Sequence, residues 1–152
     1  MKIRPYQASD WARICAIHDA ARMEELQAAA LPDAFLPLQV AAQREGLFDY
    51  RVQVAERDGS LAGFVADDGQ ELAWLYVDPA SRRRGVGKAL VAAVQTANPG
   101  GLSLELLEGN AAALAFYLTC GFVETGIQGG RMPGNESFAV RVHVLHWAGN
   151  TC

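Results

Sequence analysis

The sequence predicts an α/β (α+β) fold: a mixed, mostly antiparallel sheet of about six to seven strands, with helices on both faces. Short runs of alternating apolar residues are separated by turn signals such as Asp58-Gly59, which is typical of half-buried strands. Between them lie segments with helical apolar spacing, clearest from Val86 to Ala97. A chain of 152 residues with this pattern is expected to form a single domain, residues 1–152.

The first third of the chain is predicted to contain one strand followed by helices. Ile3 to Tyr6 is interpreted as a short strand, and Ser9 as the N-cap of a helix that runs to about Leu26. Two prolines then bracket residues 33–36, and Leu38 to Glu45 is helical again. We therefore expect two short helices joined by a bend after the first long helix.

The middle of the chain changes from helical to alternating periodicity at Tyr50. Two short β-type runs joined at Asp58-Gly59, and a third from Glu71 to Val77, predict a three-stranded antiparallel meander. A helix at Val86–Ala97 and a strand at Leu102–Leu107 come next. This order predicts a βαβ unit with parallel strands and a right-handed crossover.

The last third is predicted to contain one helix and two strands. Asn110 is a good N-cap for a helix over Ala111–Thr119. Strands at Phe122–Ile127 and Phe138–Trp147 are expected to flank a glycine-rich loop at residues 129–137.

Composition limits the classes of function. The formal net charge of −4 gives no general attraction to nucleic acid or to an anionic membrane, so neither is an expected partner. The apolar runs are shorter than a membrane span, and no signal peptide is visible at the first residues. Three cysteines without CxxC spacing (Cys15, Cys120 and Cys152) argue against a disulfide framework and a zinc site. We expect a cytoplasmic protein with no metal, as a monomer or a homodimer.

An unusual stretch, Ser81–Lys88, lies between the third meander strand and the next helix. Four of the 13 lysine and arginine residues fall within positions 82–88 of an otherwise acidic chain, together with two glycines. A helix N-terminus with exposed amides, glycines and cations is a site for an anion, most naturally a phosphate. A Walker A loop is excluded because Arg82 and Ala89 stand where glycine and Ser/Thr are needed. A dinucleotide fingerprint is excluded by Leu90.

What remains is Arg82-x-x-Gly85-x-Gly87 after a strand that ends Val77-Asp78-Pro79. This pattern resembles the acetyl-CoA-binding motif of the GNAT superfamily of N-acetyltransferases. The segments "ELAWLYVDPASRRRGVGKAL" and "NAAALAFYLTCGF" resemble the two signature blocks of that family, in order and at the usual separation. The resemblance covers residues 50–125 clearly, residues 1–49 only through the order of elements, and residues 126–152 hardly at all.

The resemblance implies transfer of an acetyl group from acetyl-CoA to a primary amine by direct attack in a ternary complex. In the family, backbone amides and cations of the glycine motif hold the phosphates of the cofactor. The strand before the motif pairs with the pantetheine arm, and an Asn at the start of the later helix, here Ala111–Thr119, also holds that arm. The implied cofactor-binding residues are Leu75, Val77, Arg82, Arg83, Arg84, Gly85, Val86, Gly87, Lys88, Ala89 and Asn110. The Val77 amide is also expected to polarise the thioester carbonyl.

Two residues are implied as catalytic. Tyr117 stands two helical turns after Asn110, where the family has a tyrosine that protonates the departing thiolate. Glu71 stands six residues before Val77, where some members carry a catalytic glutamate; other members use a chain of waters. Structural alternatives stay open: a core aromatic for Tyr117, a plain helix cap for Asn110 and a solvated surface residue for Glu71. Cys120 and the three unclustered histidines favour neither an acyl-cysteine mechanism nor a metal.

The acceptor is expected between residues 22–44 and 128–140, the segments that vary most in the family. Glu24 and Phe35 are the candidate substrate-binding residues there. The acidic balance favours a cationic amine, as a small molecule or a peptide, over an anionic acceptor. An alternative from a different class is a catalytically idle module that binds acyl-CoA as a sensor.

Overall fold

The computed structural model describes residues 1–150. Its helices and strands, in chain order, are β1 (Lys2–Pro5), α1 (Trp11–Ala28), α2 (Leu38–Glu45), β2 (Arg51–Arg57), β3 (Ser60–Asp67), β4 (Leu72–Val77), α3 (Val86–Ala97), β5 (Leu102–Leu107), α4 (Ala111–Thr119), β6 (Val123–Met132) and β7 (Asn135–Trp147). Short 3-10 turns connect several of these elements.

The strands form two antiparallel sheets, in the orders β1-β2-β3-β4 and β5-β7-β6. The predicted fold class is confirmed, and so are the meander and its turn at Asp58-Gly59. The parallel pairing expected between β4 and β5 is present as one isolated bridge, Glu71 to Ser103. β5 pairs along its whole length with β7 on its other edge, and no further pairing joins it to β4 among the described residues, so β4 and β5 separate towards their C-terminal ends. This separation creates the space that contains the candidate site.

Helices cover both faces of the first sheet, as predicted. On one face α1 and α2 pack against the sheet through a core that includes Ile14, Leu38 and the buried Phe64. On the other face α3 and α4 share a second core with both sheets, centred on Leu90 and Leu104. Apolar residues at helical spacing on α3 account for this packing, because one stripe of the helix faces the sheet.

The last hairpin differs from the sequence-based expectation. Residues 129–137 were expected to form a glycine-rich loop, which is wrong: β6 continues to Met132 and β7 begins at Asn135. Gly129 and Gly130 lie within the ladder, opposite Arg141 and Val140. Backbone pairing needs no side chain, so the low strand propensity of glycine is misleading where a long partner strand supplies the ladder. The two strands therefore form a long hairpin with a two-residue turn.

The start of α1 also differs from expectation, because Ser9 is not its cap. A 3-10 turn over Ala8–Asp10 precedes the helix, and Asp10 Oδ2 accepts a hydrogen bond from the Gln7 amide at 2.8 Å. The same carboxylate forms a bidentate pair with Arg4, with both N···O distances 2.9 Å. A charged, buried aspartate thus replaces the serine as the anchor of this helix start.

Within residues 1–150, no helix has the length and apolar composition required to cross a bilayer. In the same part of the chain, no group of three or more His, Cys, Asp or Glu side chains is arranged to hold a metal ion. Cys15 and Cys120 are free thiols, and Cys152 lies outside the described residues.

Candidate active site

A cavity of about 1000 Å³ lies between the two sheets, where β4 and β5 separate. Its walls come from β4, β5, the first turn of α3 and one face of α4. Its other end is bounded by α1, α2 and the β6–β7 hairpin. The cavity is therefore continuous from the glycine motif to both segments expected to hold an acceptor, residues 22–44 and 128–140.

One edge of β4 faces this cavity with unpaired backbone groups. The Asp78 amide donates to Ala62 O of β3 at 2.8 Å, and Tyr76 pairs with Phe64 in the same register. Because alternate amides of a strand point to opposite edges, the amides of Leu75 and Val77 point away from β3. Both residues line the cavity. An extended ligand can therefore add to this edge as another strand would.

The N-terminus of α3 supplies further backbone donors. The Ala89 amide is the first to bond into the helix, donating to Gly85 O at 3.0 Å. The amides of Val86, Gly87 and Lys88 precede it and are available to a ligand. These three residues line the cavity. Such an arrangement of backbone amides in one helix turn is suited to an anion.

The two glycines of the motif are required for different physical reasons. Gly85 has φ +77°, a left-handed conformation that side chains disfavour, although a Cβ there would have open space. Gly87 has an ordinary φ, but a Cβ there would lie 3.2 Å from Phe116 Cζ and 3.6 Å from Val77 Cγ2. Gly85 therefore forms the turn, and Gly87 allows α3 to approach α4 and β4 at the cavity wall.

The cations of the motif separate into two groups. Arg82, Arg83 and Lys88 line the main cavity, whereas Arg84 lines a smaller hollow beside Arg13. Ala89 is not among the described residues that line the main cavity. Three of the four predicted cationic side chains therefore lie where they can reach a bound phosphate.

Asn110 and Tyr117 both line the cavity from α4, as their spacing predicts. Asn110 caps the helix, because its Oδ1 accepts a hydrogen bond from the Ala113 amide at 3.2 Å. Tyr117 is buried between the rings of Phe116 and Phe122. Burial raises the pKa of its phenol well above the usual value, so the phenol is protonated at neutral pH and can donate.

The opposite end of the cavity contains polar groups that the sequence analysis missed. His18, Arg22 and Glu25 lie on one side of α1, and Arg22 and Glu25 form an ion pair. His18 packs edge-on against Tyr76, with ring centroids 4.7 Å apart, and burial lowers the pKa of its imidazole. Their spacing continues the buried stripe of Ile14 and Ile17. The sequence did contain a signal for these residues, because polar and charged side chains on the apolar stripe of a helix are unusual.

The three remaining candidate residues, Glu24, Phe35 and Glu71, lie in different places. Glu24 lines the cavity and forms an ion pair with Arg82 across its opening. Phe35 instead packs in a third core with Leu26 and Met132 and is not among the described residues of the cavity wall. Glu71 lies largely exposed at the bridge that starts β4 and is also outside that wall. Partial desolvation of its carboxyl and, after that, the nearby Glu105 raise the pKa of this group. The structure thus brings Glu24 to the same cavity as the residues expected to bind the acetyl donor, apart from Arg84 and Ala89. Phe35 and Glu71 are not in that cavity wall.

Comparison with known protein families gives a match to a family described as an acetyltransferase (GNAT) domain. The match covers residues 48–124, half of the chain, and includes β4, the glycine motif and α4. The chain belongs to the GNAT acetyltransferase family. The matched region also contains β4, the first turn of α3 and α4, which line the cavity beside the glycine motif; we call this part the donor end. The family assignment and the geometry therefore concern the same residues.

Two curated relatives are peptidyl-lysine N-acetyltransferases. YiaC of Escherichia coli (strain K12) is 46% identical over 70 residues, 45% of this chain and 47% of that protein. YjaB of Salmonella typhimurium (strain LT2) is 36% identical over 106 residues, 70% of this chain and 62% of that protein. The matches thus span about half to three fifths of the length of these relatives.

A solved structure has a similar fold over nearly the whole chain. The GCN5-related N-acetyltransferase of Rhodopseudomonas palustris superposes with a TM-score of 0.77 at 22% identity. The superposition covers 97% of this chain and 94% of that one. Likeness at this identity concerns the fold alone.

Proposed function

We propose that this protein is an acetyl-CoA-dependent N-acetyltransferase that acetylates lysine side chains of proteins or peptides by direct attack in a ternary complex. The observation that carries the proposal is the open edge of β4, whose Leu75 and Val77 line the same cavity as the first turn of α3 and Tyr117. Backbone donors for an extended arm, backbone donors for an anion and an acid therefore all border one cavity.

The donor residues suit acetyl-CoA, which supplies the acetyl group as a thioester. The amides of Val86, Gly87 and Lys88 would hold the pyrophosphate, with Arg82 and Arg83 nearby. The missing Cβ of Gly87 lets α3 lie close to Phe116 and Val77, which keeps these amides at the cavity wall. Backbone donors dominate this set, so binding does not depend on the exact rotamers of exposed arginines.

The chemistry is divided between Val77 and Tyr117. The Val77 amide would donate a hydrogen bond to the oxygen that becomes negative when the acceptor attacks the carbonyl carbon. The Tyr117 phenol would give a proton to the departing sulfur and recover one from the acceptor nitrogen. A thiol with an ordinary pKa of about 8.5 leaves more readily when a donor is present.

Lysine is proposed as the acceptor for two reasons. The two curated relatives are named as peptidyl-lysine N-acetyltransferases. The acceptor end of the cavity also contains two carboxylates: Glu25, which is paired with Arg22, and Glu45, which forms no ion pair within residues 1–150. Arg131 of β6 is a second arginine in the cavity wall. A cation on a long flexible stem suits such an end, whereas an anionic acceptor does not.

The test is acetylation of lysine peptides, followed by mass spectrometry and thiol release, with acetyl-CoA binding measured separately by calorimetry. We expect binding, and acetylation of peptides that carry a free lysine but not of the same peptides with trimethylated lysine. Binding without transfer to any amine would favour an idle acyl-CoA sensor. Absence of acetyl-CoA binding would overturn both alternatives.

A further inference from the structure

Glu45 is the last residue of α2, and its half-buried side chain lines the acceptor end of the cavity. Within residues 1–150, no side chain or amide donates a hydrogen bond to its carboxylate, and no cation lies in ion-pair contact with it. A half-buried carboxylate without a partner is costly to ionise in the unliganded protein. A cationic ligand that reaches the cavity would supply the missing partner.

The turn of the β6–β7 hairpin holds Glu45 in this position. A Cβ on Gly134 would lie 3.0 Å from Glu45 Cγ and 3.3 Å from Glu45 Oε2, so the turn packs directly on this side chain. Arg44 Nη1 donates to Gly134 O at 3.0 Å, and Asn135 Nδ2 donates to Ala34 O at 3.1 Å. The hairpin is thereby fixed against α2, and it shields the Glu45 carboxyl from solvent on one side.

Charged and titratable groups face Glu45 from several neighbouring elements, among them Tyr50 just before β2, whose phenol has a pKa raised by burial and by nearby carboxylates that include Glu45. Burial is the largest effect and raises the pKa of its carboxyl to about 7. Glu136 on β7 raises this pKa further by like charge, and Arg22 on α1 opposes the shift. On β4 lies Tyr76, whose own pKa burial raises. The carboxyl therefore exchanges its proton near neutral pH, which is the property that a general base requires.

The other carboxylates that line the cavity are ion-paired, except Glu105 of β5, whose side chain is exposed. Glu25 is paired with Arg22, and Glu24 with Arg82. Glu71, the candidate base suggested by family resemblance, lies outside the described cavity wall. Glu45 thus combines a place in the acceptor end with an unoccupied carboxylate.

We propose that Glu45 binds the ammonium group of the acceptor lysine and removes the proton that must leave before the nitrogen can attack. This inference rests on the proposed function. In the step, an N–H bond of the ammonium breaks and an O–H bond forms on Glu45, and the neutral amine keeps the electron pair. Glu45 later releases that proton to water at the cavity opening.

Proton transfer from a lysine ammonium, with an ordinary pKa near 10.4, to Glu45 is uphill by a few pKa units. Attack consumes the small amount of neutral amine as it forms, so a base that holds the amine within hydrogen-bond distance is still effective. The side chain of a bound lysine would also pass the apolar Leu36, Ala41 and Met132, which line the same end. The site therefore offers one charged contact at the tip and apolar contacts along the stem.

The test compares the pH dependence of kcat/KM for a lysine peptide in the wild type and in Glu45→Gln, at saturating acetyl-CoA. The wild type should lose activity as the pH falls through about 7. This fall is the acid limb of the pH profile. Glu45→Gln should lower kcat/KM by about 100-fold at pH 7.5 and should abolish the acid limb, with unchanged acetyl-CoA affinity. Glu45→Asp should recover part of the activity, because it restores the carboxylate on a shorter arm. A circular dichroism spectrum and a melting curve confirm that each variant is folded.

Two further variants separate this role from the alternatives. Glu136→Gln removes the like charge and should move the acid limb to lower pH without abolishing it. Glu71→Gln should keep the limb. A Glu45→Gln enzyme that retains the limb, or a Glu71→Gln enzyme that loses it, would overturn the inference while leaving the proposed function intact. A wild type that binds acetyl-CoA but acetylates no lysine peptide would instead overturn the proposed function.

Discussion

The donor and acceptor ends of one cavity are built in opposite ways. At the donor end, Gly85–Lys88 and the edge of β4 offer backbone amides from adjacent stretches of chain. At the acceptor end, side chains come from α1, α2 and the hairpin, some of which are more than a hundred residues apart in the chain. A backbone site keeps its geometry while exposed side chains vary. A side-chain site can change its ligand through single substitutions, so the donor end is general and the acceptor end is specific.

The largest effect is expected from closing the space at the donor end. Gly87→Val should reduce acetyl-CoA affinity by at least about 100-fold, because its branched side chain would meet Phe116 and Val77 where the ligand must approach the α3 amides. Gly100→Ala is the matched control, since a Cβ there has nothing within 4 Å. Isothermal titration calorimetry measures both. Equal affinities for the two variants would contradict the placement of the donor.

The next effect is expected at Tyr117. Tyr117→Phe removes the donor but keeps the ring that packs against Phe116 and Phe122. We expect kcat to fall by about 10- to 100-fold, while the dissociation constant of acetyl-CoA changes less than twofold. Tyr50→Phe, on the other side of the first sheet, is the control. A purely structural tyrosine would show the reverse pattern, with altered melting and normal kcat.

At the acceptor end, Glu45 should make the free energy of unfolding depend on pH, which an ordinary exposed glutamate would not do. The pKa of Glu45 is raised from 4.5 to about 7, so the folded protein keeps a proton that the unfolded chain loses within that window. The free energy of unfolding therefore loses this contribution as the pH rises from 4.5 to 7. Glu45→Gln removes the ionisation and should be more stable than the wild type at pH 8, by about 1 to 3 kcal/mol. Urea unfolding at pH 8 and pH 4 measures the difference, which should vanish at pH 4.

The smallest effect is expected where the two ends meet. Arg82 and Glu24 form an exposed ion pair across the cavity opening, with side chains 53% and 47% exposed. Such pairs are worth less than about 1 kcal/mol. Because a bound phosphate competes with Glu24 for Arg82, Glu24→Gln should tighten acetyl-CoA binding about two- to fivefold at low salt. The gain should disappear at high salt. Weaker binding by this variant would show that Glu24 instead helps to position the ligand.

The sequence was sufficient for much of the fold because local signals and tertiary packing agree there. The apolar stripe of α3 and the Asp58-Gly59 turn each predicted an element that the structure contains. The prediction was wrong where a contact with another part of the structure outweighs the local sequence signal. Gly129 and Gly130 join a ladder because β7 is opposite them, and Asp10 displaces Ser9 because Arg4 pairs with it.

The site divides in the same way. The donor residues follow one another in the chain, so a motif could identify them before any fold was known. Arg22, Glu25 and Glu45 have no such order, and only the packing of α1, α2 and the hairpin brings them to one end of the cavity. Phe35 illustrates the difficulty, since it occupies the expected segment but faces the core around Leu26.

The most direct test of the central claim is a steady-state measurement in which acetyl-CoA and a lysine peptide are varied together while thiol release is followed. A cavity that holds both substrates at once, lined by both the Val77 edge and Glu45, predicts double-reciprocal lines that intersect. It also predicts negligible thiol release when the peptide is absent. Parallel lines, or a burst of thiol without peptide that leaves an acetylated enzyme, would contradict direct transfer across the cavity.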